Sequence, residues 1–184
     1  MKYLYLDNNN ISDLSGLANC KNIIGISASF NKLTSVEWLS EWNALQTVLL
    51  SNNSIESASG FIKSEKLICL DLSNNKLTKI DGIVFEADGY IEVNLSNNAI
   101  TSVTLPNNCH FSKLALHGNP LTDDSFLNKT KGSDVSFNFF NELNPKILET
   151  AEFYNIYIAD CPTDRRVEVE QASYKVTLTT ANEI

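Results

Sequence analysis

The chain has 184 residues, a net charge of -8 and a pI near 4.7. That length is enough for one domain with a sizeable core, and the acidity argues against nucleic acid or an anionic membrane surface as partner. The only arginines are the adjacent Arg165 and Arg166, too little guanidinium for a phosphate-reading surface, and no run approaches the roughly 18 apolar residues of a membrane helix.

The elements recur from the first residues onward. Leu4 and Leu6 alternate as in a half-buried strand, and Asn9 and Ile11 follow. Ile26, Ala28, Asn31 and Leu33 repeat the arrangement, then Val48, Leu50, Asn53 and Ile55. The clearest copy spans residues 70–77, Leu-Asp-Leu-Ser-Asn-Asn-Lys-Leu, with Asn75 in the Asn place. Val93, Leu95, Asn98 and Ile100 come next, then Leu114, Leu116, Asn119 and Leu121. The seventh copy is weaker, with Ser133, Val135, Asn138 and Phe140, and the eighth has Ile156 and Ile158 with Cys161 in the Asn place. The steps between these places are 22, 22, 22, 23, 21, 19 and 23. Repeat six departs locally, since Val103-Thr104-Leu105-Pro106-Asn107-Asn108-Cys109 replaces the apolar spacing with a Pro-Asn turn and the step on to Asn138 is short, so a distorted solenoid is expected there.

Between copies, further apolar residues fall three and six places on, as in Ile11, Leu14 and Leu17 or Leu33, Val36 and Leu39. Residues 1–162 thus form eight repeats. Residues 163–184 would cap the last coil, either as a hairpin of the period-two runs around Val169 and Val176 or as a degenerate ninth repeat with Asn182 in the Asn place.

This pattern resembles the leucine-rich repeat family, whose consensus L-x-x-L-x-L-x-x-N/C-x-L allows the cysteine at position 161. The 22-residue length resembles its short class, which includes internalin-like proteins and regulatory subunits of protein phosphatases. The resemblance implies an α/β solenoid, with a parallel sheet on the concave face and short 3-10, helical or extended segments on the convex face. The physics agrees: a strand of three to five residues cannot bury its face alone, and stacked copies make one continuous core. Where strand pairing ends the backbone needs other partners, and the amide of Asn offers both donor and acceptor. Asn9, Asn31, Asn53, Asn75, Asn98, Asn119, Asn138 and Cys161 are therefore expected to form a structural ladder.

Residues flanking the inward pair point to the concave face. Most are Ser or Asn. The departures, Tyr3, Tyr5, Phe30, Leu49, Asp71, His117, Phe137 and Tyr157, are the candidate contacts for a partner. Eight strands make a face roughly 34 Å wide, which suits a protein or peptide. Trp38 and Trp42, four apart on the convex side, are the alternative site. A rival, structural role has the open first strand pairing with a second copy.

Chemistry finds no footing. Cys20, Cys69, Cys109 and Cys161 lack the spacing of a zinc site or disulfide framework. Cys69 and His117 are two coils and four residues apart, well beyond the reach of about 3 Å that a nucleophile and base require. Asp123 and Asp124 mark a turn or helix start. The expectation is a non-catalytic binding module with no metal or cofactor. The N-terminus lacks the apolar stretch of a secretion signal, so the expected location is cytoplasmic, or exported if the sequence is a piece of a longer chain.

Overall fold

The computed structural model describes residues 2–58, 66–80, 90–105, 110–130, 132–150, 155–166, 169–170 and 176–179. Nine strands form one sheet in sequence order, and every neighbouring pair is parallel. They are β1 (Tyr3–Tyr5), β2 (Gly25–Ser27), β3 (Thr47–Leu49), β4 (Cys69–Asp71), β5 (Ile91–Asn94), β6 (Phe111–Ala115), β7 (Asp134–Asn138), β8 (Asn155–Ala159) and β9 (Val176–Thr179). Such a leucine-rich solenoid follows from the alternation: one side chain in two turns inward, and parallel stacking superimposes those rows.

The inward rows are sealed. Ile26, Ala28, Val48, Leu50, Leu70, Leu72, Val93, Leu95, Leu114 and Leu116 are all buried, each large member contributing about 1.5–3 kcal/mol. Behind them the chain returns through short 3-10 segments, Ser15–Leu17, Glu37–Leu39 and Ser125–Lys129, and one α-helix, α1 (Pro145–Thr150). Asp123 starts the third 3-10 segment by accepting from the Ser125 amide and hydroxyl at 2.9 Å, in keeping with a helix-start role.

The Asn ladder is the second stabilising device. Asn75 accepts from the Ile55 amide at 2.9 Å and donates to the carbonyls of Leu50 and Leu72 at 3.0 and 3.1 Å. Asn31, Asn53, Asn98 and Asn119 repeat this geometry. Each one binds its own coil and the preceding one. Asn9, in the first coil, bonds only its own Leu6 and Asp7 carbonyls. Cys161 occupies the same place, buried in the core, but makes none of the Asn bonds among the described residues, where its thiol donates to the Pro162 carbonyl at 3.8 Å.

The seventh coil corrects the sequence reading. Leu114 pairs with Val135, and Val135 with Ile156, which makes Val135 and Phe137 the inward pair. Phe140 therefore takes the ladder place, evenly spaced between Asn119 and Cys161. Asn138 is a strand residue: its Oδ1 accepts from the Gly118 amide at 2.5 Å and its Nδ2 donates to Asp160 at 2.6 Å. The seventh coil keeps an even register, and the expected irregularity falls one coil earlier, as a shift in the β5–β6 pairing where Ile91 faces Phe111 but Glu92 faces Lys113. Phe137 is fully buried and packs edge-on against Phe126, with ring centroids 5.7 Å apart, so it is core and not a concave contact.

Restoring the consensus at this place should harm the protein. No amide waits for an Asn at position 140, because the Leu121 N–H is already held by the Asn119 carbonyl at 3.0 Å. Phe140→Asn would instead remove a buried ring stacked 6.1 Å from Phe137. A loss of about 2–4 kcal/mol is expected in urea unfolding.

Two further expectations are settled by pairing. β9 runs parallel to β8, with Ile156 opposite Val176, so a hairpin is not formed. Residue 169 lies in a helical turn, its amide on the Arg165 carbonyl at 3.3 Å. Cys109 and Asn182 lie outside the described residues.

Candidate functional site

The sheet's open face is set by the strand register. Its middle row runs Tyr5, Ser27, Leu49, Asp71, Asn94, Ala115, Ser136 and Tyr157. Beside it lie Tyr3, Gly25, Thr47, Cys69, Glu92 and Lys113 on one side. On the other, Asp7 opens the row of Ser29, Ser51, Ser73, Ser96 and His117. The corrected seventh coil contributes Asp134, Ser136 and Asn138 to this face.

Aromatic groups concentrate at the first two strands. Tyr3, Tyr5 and Phe30 are 52%, 75% and 55% exposed, while behind them Ile26 and Ala28 are buried and Leu4 and Leu6 partly so. Tyr3 leans across the neighbouring Gly25, where an added Cβ would come within 2.8 Å of its ring. Leu49, Asp71, His117 and Tyr157 are half-buried on the same face. Tyr157 lies on β8, far along the sheet from Tyr3, Tyr5 and Phe30.

Phe30 is unusual in its backbone as well. Before the ladder places the chain turns with positive φ in every coil but the seventh, where Phe139 does not: Asn8, Asn52, Asn74, Asn97 and Asp160 do so at φ 53 to 57, and Gly118 at 72. Those residue types tolerate this conformation. Phe30 adopts φ 56 with a bulky ring, at a cost of about 1–2 kcal/mol. Phe30→Asn should raise the urea midpoint, by about 1 kcal/mol in stability. Strain held at an exposed aromatic points to selection for something other than stability.

His117 is a departure of a different kind. Its Nδ1 lies 3.2 Å from the Ser136 hydroxyl. Burial pushes the imidazole below its ordinary pKa, and nearby Lys113 adds to this. Ser136 is only 3% exposed, and no carboxylate holds the other ring nitrogen among the described residues, so the pair lacks the parts of a hydrolytic triad. Sequence reasoning set Ser136 on the open face in the row of His117 but took it as bland polar lining. Cys69 is half-buried, and burial, then Glu92 and Asp71, raise its pKa, which makes the thiol a poor nucleophile. Among the described residues, no group of three or more His, Cys, Asp or Glu is placed to hold a metal ion. Nor is any described helix long and apolar enough to cross a membrane.

The convex alternative is overturned. Trp42 is fully buried and Trp38 is 7% exposed. Their rings meet edge to face with centroids 5.4 Å apart. The Trp42 Nε1 donates to the carbonyls of Leu17 and Ala18 at 3.3 Å, and that of Trp38 to Ser35 at 3.0 Å. Four-residue spacing on a 3-10 return segment aims both rings between coils, where they fill the core instead of meeting a partner.

The comparisons agree with this architecture. The Leucine Rich Repeat family model matches residues 66–86, the segment that contains the clearest copy. Internalin C2 from Listeria monocytogenes is similar over 94% of this chain and 78% of its own, at 19% identity and a TM-score of 0.62. The plant peptide hormone receptor RGFR1, solved in complex with RGF2, is similar over 98% of this chain at 16% identity and a TM-score of 0.50, and the chain spans 37% of that receptor's chain. No curated protein matches the sequence. One repeat is matched by the family model, and the coil geometry and Asn ladder carry the same pattern through the described stack, so the chain has the leucine-rich repeat solenoid fold.

Proposed function

We propose that this protein is a non-catalytic interaction module that holds a protein or peptide on its concave sheet face. The observation that carries the reading is the exposure of Tyr3, Tyr5 and Phe30 at one end of a face whose other residues are mostly polar. Aromatic side chains open to water stabilise nothing where they stand, but they supply much of the energy when a partner covers them. The strain at Phe30 supports the same conclusion.

The test is a random peptide display selection on the full chain, with affinities of the selected peptides measured by calorimetry. Tyr5→Ser combined with Phe30→Asn should weaken binding at least about tenfold and leave the circular dichroism spectrum unchanged. Equal affinity of parent and double variant would overturn the concave assignment.

Self-association is a second reading, favoured by one observation. The outer edge of β1 is unpaired in the sheet, and Leu4 and Leu6 are only partly buried against the core. A second copy pairing there would make the sedimentation coefficient rise with concentration, and Tyr3→Pro would suppress that rise.

A further inference from the structure

The sheet face also carries a charge pattern that bears on what lies over it. Among the described residues, Asp7, Asp71, Glu92, Asp134 and Asp160 belong to the face, against Lys113 of the opposite sign. The whole chain has 22 acidic residues to 14 basic, so the face is more one-sided than composition alone would make it. The ion pair found among the described residues, Lys21 with Glu41 at 3.1 Å, lies off this face. Lys113 stands beside Glu92 in register without closing to ion-pair distance. Arg165, at the far end, is stacked over Phe139 with 5.5 Å from guanidinium carbon to ring centroid.

The acids are ordered relative to the aromatics. Along the middle row Tyr5 is followed by Ser27, then Leu49, then Asp71. Ser27 is smaller than its neighbours in the row, and its hydroxyl donates to the Asp7 carboxylate at 2.7 and 2.8 Å. Glu92 lies on the next strand, diagonal to Asp71. Asp71 accepts one bond, from the Ser73 amide at 2.9 Å, which leaves its second carboxylate oxygen free to accept another.

Resting on the concave-face reading, we infer that the occupant is an extended cationic peptide segment. It lies across the strands with an apolar side chain against Tyr5 and its Lys or Arg side chains over Asp71 and Glu92. Strands about 4.8 Å apart put β1 and β4 about 14 Å from each other, which an extended peptide spans in about four residues. The recognised spacing is therefore an apolar residue about four places from paired cations. Complementary charge across such a face also sets partner choice and association rate.

The test uses two synthetic peptides of about a dozen residues that differ only in carrying a lysine pair or a glutamate pair about four places from a phenylalanine. The lysine peptide should bind the full chain at least about tenfold more tightly, and the difference should shrink between low and high salt. Asp71→Asn with Glu92→Gln should abolish the preference, because Asn keeps the acceptor for Ser73 and Glu92 lies on the surface, so the fold is retained. Equal binding of the two peptides, with both weakened by Tyr5→Ser and Phe30→Asn, would overturn the cationic assignment and leave the concave reading standing. Binding insensitive to either pair of substitutions would overturn both. If neither peptide binds, sequences taken from the display selection decide: cationic enrichment at that spacing supports the inference, and neutral or acidic enrichment overturns it.

Discussion

Trp42→Ala is expected to lower stability by about 4 kcal/mol, the largest effect of any single substitution considered for this protein. The ring is fully buried. Its removal leaves a cavity between the first two coils and strips the Leu17 and Ala18 carbonyls of their shared donor. For a chain of this length the change corresponds to a fall in Tm of about 8–16 °C. Differential scanning calorimetry measures it directly. Peptide binding at a temperature where the variant remains folded should be unchanged, because the ring lies behind the sheet. A variant with normal Tm and lost binding would reinstate the convex face as the functional one.

Asn75→Ala is expected to cost about 3 kcal/mol, and Asn9→Ala less than about 1 kcal/mol. Both residues sit in the same place of the repeat, so intrinsic propensity cancels in the comparison. What differs is the stack. Asn75 bridges two coils, and its loss leaves the Ile55 amide without its acceptor and the Leu50 and Leu72 carbonyls without their Asn donor. Asn9 is exposed and makes two bonds inside its own coil, which water replaces. Equilibrium urea unfolding of the two variants gives the contrast. Equal losses would mean that the ladder acts within coils and not between them.

The seventh coil shows where local chemistry misleads. Asn138 has the right identity for the ladder but the wrong spacing, while Phe140 has the wrong identity and even spacing to Asn119 and Cys161. Pairing decides between them. With Val135 opposite Leu114, two large groups, Val135 and Phe137, enter the core. The alternative register would bury Ser133 and Val135 as the pair and expose Phe137. The apolar area gained exceeds what one Asn can offer in hydrogen bonds. The even spacing of positions 119, 140 and 161 carries the signal in the sequence, and the Asn at position 138 masks it.

Seven alternating apolar pairs, recurring close to every 22 residues, determined on their own that the chain coils into a parallel sheet with its leucines inside. They did so because only stacking can bury strands this short. The Asn places from Asn31 to Asn119 were legible for the same reason, since a turn that leaves the sheet must satisfy its backbone. Tertiary structure alone decided the remainder. It placed Trp38 and Trp42 in the core, made β9 a parallel strand and turned Phe137 inward while leaving Phe30 outside. Periodicity records how often a side chain faces inward, but the register with the neighbouring coil determines which one does, and that register is set by packing between residues some 21 positions apart.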